Sequence, residues 1–112
     1  MNNEIKDIQK LIIQFRKERD WEQFHTVKDL LIGLNMEVAE LQELFLWKSD
    51  SEIKEIDKTK IGNEIADIFI FLTYVLDEFK LDLLDEVRKK IQLNESKYPI
   101  DKFKGSNKKY NE

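Results

Sequence analysis

At 112 residues, 41% hydrophobic and 38% charged, with a net charge of −4, the chain is sized for one domain, and its acidity excludes a dominant nucleic-acid-binding surface, which needs a basic footprint on phosphate. It has no cysteine, which rules out disulfides and thiolate metal sites, and its three Gly and single Pro are too few turn formers for an all-β fold. The N-terminus lacks the apolar core of a signal peptide, and the longest apolar run is broken by Asp67 and Thr73, short of the ~20 residues that span a bilayer; both features predict a cytoplasmic protein with no membrane partner.

Ile5, Ile8, Leu11, Ile12 and Phe15 recur at helical spacing and predict a first helix from about Asn3 to Lys17. After a break over Glu18 to His25, Thr26 is a good N-cap, with Asp29 three residues on. Val27, Leu31, Leu34, Val38, Leu41 and Phe45 then form the expected buried stripe of a second helix ending near Lys48. Ser49 to Lys60 reads as a polar connection with a helical turn over Ser51 to Ile56.

Thr59 is placed to cap a third helix with the stripe Ile61, Ile65, Ile68, Leu72, Val75 and Phe79. Phe69, Ile70, Phe71 and Leu76 fill its other faces. A helix that is apolar nearly all round must be buried on several sides, here by the chain itself and by a second subunit, so a homodimer or homotetramer is expected. Asp82 and Asp85 open a fourth helix through Leu84, Val87 and Ile91 that ends before Pro99. The expectation is an all-α, four-helix domain over residues 1–98, followed by a basic extended C-terminal tail over residues 99–112. From Lys97 onward five lysines stand against two acids, a composition that can touch phosphate or simply keep the chain soluble.

Charge in the wrong place is the lead to function. Asp67 interrupts Ile65 to Leu72, where a lone carboxylate is costly to bury unless something positive meets it. Glu64 lies one turn earlier, and Glu37 and Glu40 repeat the spacing on the second helix. Residues three and four apart share a helix face, so each pair borders a core stripe, and if the stripes face each other four carboxylates converge. Solvation or pairing with a local Lys or Arg is the usual fate of such acids. Within one helical turn, however, only Glu64 has a cation, Lys60. Clustered carboxylates repel unless a cation neutralises them, and an all-oxygen ligand set selects hard ions, Mg²⁺ first and Mn²⁺ next. A di-iron site would want Glu-x-x-His pairs, and the only histidine, His25, stands outside both motifs.

The order Glu37-x-x-Glu40, 23 intervening residues, then Glu64-x-x-Asp67 resembles the signature of the MazG-like family of all-α nucleoside triphosphate pyrophosphohydrolases. Arg19 to Thr26, Glu37 to Lys48, Glu64 to Leu72 and Asn94 to Pro99 are similar, in that order, to its small stand-alone dCTP pyrophosphatase branch, and the likeness runs over about residues 10 to 108. The resemblance implies a MazG-like bundle that hydrolyses a (deoxy)nucleoside triphosphate, dCTP included, to the monophosphate and pyrophosphate. It implies Mg²⁺ held by Glu37, Glu40, Glu64 and Asp67, the same four acids being catalytic, and leaves open which group acts as base.

Supporting residues follow. Asn94 and Lys97, with Lys90, recur on one face of the fourth helix and can present donors to phosphate oxygens. Trp21 and His25 precede the second helix where no core stripe explains them, and aromatic rings there can stack on a base or form a lid over the bundle end. Trp47 and Tyr74 are further substrate contacts by the same reasoning. The competing reading is a non-catalytic helical interaction module that docks a partner on its apolar third helix; such an interface has little use for four unpaired carboxylates.

Overall fold

Helix α1 spans Glu4–Glu18 in a computed structural model that describes residues 4–112. A 3₁₀ turn at Trp21–Phe24 leads to α2, Val27–Glu43, whose N-cap is Thr26 as expected: its hydroxyl accepts the Asp29 backbone N–H at 3.1 Å. A short α3, Asp50–Lys54, opens with a full capping box between Ser49 and Glu52. The long α4, Lys58–Glu78, is capped by Asp57, which accepts from Thr59 N–H at 2.9 Å; the cap lies two residues before the expected Thr59. Beyond it come α5, Leu83–Lys97, and α6, Ile100–Phe103. Among the described residues every regular element is helical, and no helix is long and apolar enough to cross a membrane.

Two differences from expectation have local causes. The second helix stops at Glu43 rather than near Lys48, because Leu44 and Phe45 donate to the carbonyls three residues back, Leu41 at 3.2 Å and Gln42 at 2.9 Å. These tightened bonds lead to Trp47, whose φ of 63° lies in the left-handed region, so the helix cannot continue. The other difference is which faces are buried. Leu30 is the fully buried residue of α2, while Leu31 is 46% exposed. On α4, Ile65, Leu72 and Phe79 from the expected stripe are exposed, and Thr73 and Tyr74 are buried instead. Periodicity cannot choose a face on a helix apolar all round; packing against α2 turns the side that carries Glu64, Asp67, Phe71 and Tyr74 inward. The Thr73 hydroxyl is satisfied within the helix, donating to the Phe69 carbonyl at 2.9 Å.

The chain forms two compact units, one ending at Lys80 and one beginning at Leu81. In the first, α2 packs along α4 and α1 lies against α4. In the second, the Asp82 carboxylate accepts the Asp85 N–H at 3.0 Å to cap α5, as expected. The segment after Pro99, expected to be extended, turns once as α6, and the Tyr98 ring meets Phe103 at 4.9 Å and Tyr110 at 5.9 Å. Both contacts are edge to face, the arrangement that ring quadrupoles favour.

Candidate functional site

The α2 and α4 contact brings two i, i+3 acidic pairs to one place. One carboxylate oxygen each from Glu37, Glu40 and Glu64 lies within 4.8 Å of the others. Asp67 stands close enough to Glu37 and Glu64 for its charge to perturb both. Glu37 Oε2 and Glu64 Oε2 are buried with no hydrogen-bond partner. The Glu37 carboxyl is pushed up to about 7 by burial, by its contact with Glu40, and by the charges of Asp67 and Glu64. Glu64 is raised too, by burial first, then by its contact with Glu40 and by the charges of Asp67 and Glu43.

Buried, unpaired oxygens on mutually repelling carboxylates are a costly arrangement for a fold by itself. They fit a hard divalent cation, which takes oxygen ligands and offsets the repulsion. The nearest basic side chain in sequence, Lys60, is exposed on the first turn of α4.

Beside the acids opens a cavity of about 480 Å³. Asp67 is its one acidic wall residue, and Phe15, Trp21, His25, Phe71 and Tyr74 supply aromatic surface. The rings form a chain of contacts: Phe15 to Trp21 at 5.7 Å, Trp21 to His25 at 6.5 Å, His25 to Tyr74 at 5.4 Å, Tyr74 to Phe71 at 5.9 Å. The His25 and Tyr74 planes are tilted by only 33°, and His25 Nδ1 is buried without a partner. Burial and the nearby Arg16 charge lower the imidazole pKa, so His25 is neutral at neutral pH, with one nitrogen donating and one accepting. A cavity of this size, mostly apolar, half of its lining residues aromatic, and with a few polar atoms, suits a planar heterocycle.

The expected site residues therefore fall into four places. Glu37, Glu40 and Glu64 cluster with Asp67 beside them, and Trp21, His25 and Tyr74 line the cavity with Asp67. Trp47 is away from this cavity, 91% exposed. Asn94 and Lys97 belong to the second unit, where Asn94 is exposed and Lys97 Nζ lies 4.8 Å from the centre of the Tyr110 ring.

Two residues at the site went unmarked in the sequence. Gly33 lies where α2 meets Phe71, and a glycine inside an apolar helix was its one signal. Arg16 is 1% exposed, with its guanidinium over the Tyr74 ring. Its signal was register: Arg16 continues the row Ile5, Ile8, Ile12 at i+4, so a charge falls on the apolar face of α1.

Comparison with known proteins agrees with this geometry. The chain is 38% identical over 111 residues to dCTP pyrophosphatase 1 of Rattus norvegicus and 36% identical over 113 residues to that of Homo sapiens. These matches cover 95% and 96% of this chain, which spans 65% and 66% of the respective relatives' lengths. A solved structure of a pyrophosphatase from Archaeoglobus fulgidus superposes with a TM-score of 0.81 at 33% identity, over 88% of this chain and 95% of that one. The sequence model of the MazG-like family matches residues 32–112, which include both acidic pairs and the whole of α4, and on that match the chain belongs to the MazG-like family.

Proposed function

We propose that this chain is a Mg²⁺-dependent nucleotide pyrophosphohydrolase that cleaves a (deoxy)nucleoside triphosphate, with dCTP the leading substrate, to the monophosphate and pyrophosphate. The observation that carries the reading is the pair of buried, unpartnered oxygens of Glu37 and Glu64 inside a carboxylate cluster that adjoins an aromatic cavity. The names of the relatives point to dCTP and to pyrophosphatase chemistry.

Glu37, Glu40, Glu64 and Asp67 would hold the metal, Mg²⁺ before Mn²⁺ on the chemistry of an all-carboxylate set. When bound, the ion supplies charge stabilisation on the transferring phosphorus and lowers the pKa of water. The aromatic wall of Trp21, His25 and Tyr74 holds the base, which fixes the α-phosphorus near the acids and makes attack effectively intramolecular. A carboxylate of the cluster takes the proton of the attacking water as the oxygen bonds to the α-phosphorus. The bond to the bridging oxygen breaks, and pyrophosphate leaves with that oxygen. We further propose Asn94 and Lys97 as phosphate contacts, and Trp47, which does not line this chain's cavity, as a base contact offered to a second copy.

The same reading includes a homo-oligomer. Leu30 and Tyr74 are the only hydrophobic residues fully buried among those described, while Ile32 and Met36 on α2 and Ile65 and Leu72 on α4 stay exposed. A core this small does not hold a chain of this length, and a second copy is the natural cover for helix faces apolar all round. We place this chain's action in the cytoplasm, with the nucleotide pool.

Coupled release of phosphate by added inorganic pyrophosphatase, over a nucleotide panel with and without Mg²⁺, tests the activity. Turnover of dCTP that needs the metal is expected; no turnover of any nucleotide, together with a melting temperature indifferent to Mg²⁺, would sink the reading. Light scattering on the purified chain tests the oligomer, and a monomer at every concentration overturns that part.

A further inference from the structure

Arg16 is the most deeply buried charge among the described residues, and the fold gains little from it. Nη2 reaches Glu78 at 3.4 Å and Asp77 at 3.6 Å, both partners being about one third exposed, while Nε and Nη1 are buried with no acceptor. Two donors without partners cost more than this long-range pairing returns, and an apolar side chain of similar size would fill the space as well. Something other than stability accounts for a guanidinium here.

What the guanidinium touches is the cavity wall. Its carbon lies 4.8 Å from the centre of the Tyr74 ring, and the His25 ring packs on Tyr74 at 5.4 Å. Tyr74 is 4% exposed, so its ring is clamped between its neighbours, with Phe71 at 5.9 Å on the edge. A planar cation over an aromatic face gains both stacking and quadrupole attraction, which lysine's point charge does not reproduce. The charge also acts on His25, where it works against protonation; Glu78 and Glu22, the other charges facing that imidazole, work weakly the other way.

We propose that Arg16 is a positioning residue for base recognition: anchored by Asp77 and Glu78, it fixes the Tyr74 ring and, through it, the neutral His25 imidazole whose unpartnered Nδ1 reads the polar edge of a pyrimidine base. The inference rests on the assignment of the cavity to a nucleotide base. Arg16 itself does not line the cavity and touches no substrate.

The test uses Arg16→Met and Arg16→Lys in the full chain. His25 is the only histidine, so the proton on its Cε1 gives a single resolved NMR signal that reports titration and ligand contact directly. In the parent protein, dCMP shifts that signal. In Arg16→Met the His25 titration midpoint rises, the dCMP-induced shift shrinks, and KM for dCTP increases about tenfold with kcat within about twofold, the pattern of lost ground-state binding. Arg16→Lys restores the titration midpoint but only part of KM, since it returns charge without the planar stack. An unchanged KM in Arg16→Met, or a loss confined to kcat, overturns the proposal. Should Arg16→Met not fold, Asp77→Asn with Glu78→Gln releases the guanidinium from the surface side, and the same rise in KM is required. If the parent turns over no nucleotide but the midpoint and dCMP shift change as stated, the wall stands and only the catalytic reading falls; if dCMP leaves the parent signal unmoved while dCTP is hydrolysed, the wall is wrong and the activity is right.

Discussion

A β-carbon on Gly33 would stand 2.9 Å from Cζ of Phe71, closer than carbon atoms approach, so this glycine sets how near α2 comes to α4. Glu37 lies one turn beyond Gly33 and Asp67 one turn before Phe71, so the same close approach converges the carboxylates. Gly33→Ala gains about 1 kcal/mol of helix propensity but overpacks the contact at a cost of about 1–3 kcal/mol. The far end of the Phe71 ring can yield by moving into the cavity it lines. We expect a melting temperature lowered by only a few degrees and a KM for dCTP raised about tenfold, because relief comes at the expense of the binding space. A KM equal to that of the parent would show that the ring escapes elsewhere.

Without metal, the acidic cluster should make the fold less stable as pH rises. Glu37 holds its proton up to about pH 7 in the folded chain against a usual 4.5, so its contribution is fully present below 4.5 and is lost as pH rises through 7. Glu64 shifts the same way. His25 opposes them: its lowered pKa adds stability above its usual 6.5 that is lost as pH falls. Comparison with Glu37→Gln isolates the carboxylate part. In EDTA the parent should lose melting temperature relative to that variant between pH ~5 and ~8, and saturating Mg²⁺ should reverse the loss. Parallel profiles in EDTA would mean that the carboxylates do not crowd one another.

Asp67→Asn separates fold from chemistry. Asp67 borders both the cluster and the cavity, and its neutral amide keeps the shape while removing a ligand and a negative charge. Turnover should fall by at least about a hundredfold while the helical circular dichroism stays that of the parent. The upward shift of Glu37 should also lessen, since the Asp67 charge is one of its causes. Retained turnover would remove Asp67 from the metal site.

The existence of the long helices was legible because Thr26 and Asp82 are side-chain caps and the apolar spacing between breaks is unambiguous. Glu37, Glu40, Glu64 and Asp67 were legible as a set because an acid in an apolar run has no local explanation. The inward face of α4 was not, since Ile65 and Phe71 are equally apolar and only the α2 contact distinguishes them. Gly33 and Arg16 were hidden for a related reason. Each acts through a residue some 38 or 58 positions away, Phe71 or Tyr74, and no periodicity within one helix reports a partner on another. The helical turn after Pro99 depends likewise on Tyr98 meeting Phe103 and Tyr110.

Trp47 is both exposed and held in a backbone conformation that costs free energy. It is 91% exposed, so it buries nothing in this chain, and its φ of 63° places a bulky side chain in the left-handed region at about 1–2 kcal/mol. Trp47→Gly removes that strain, although glycine gives back about 0.5–1 kcal/mol through a more disordered unfolded chain. Melting temperature should therefore hold or rise slightly. If Trp47 contacts the base, KM for dCTP rises at least about fivefold in the same variant, and Trp47→Phe, which keeps an aromatic face, recovers much of it. Stability up with affinity down is the signature of strain retained for binding. Trp47→Gly with parental KM and a stable fold would strip Trp47 of its assignment and leave the base to the aromatic residues that line the cavity.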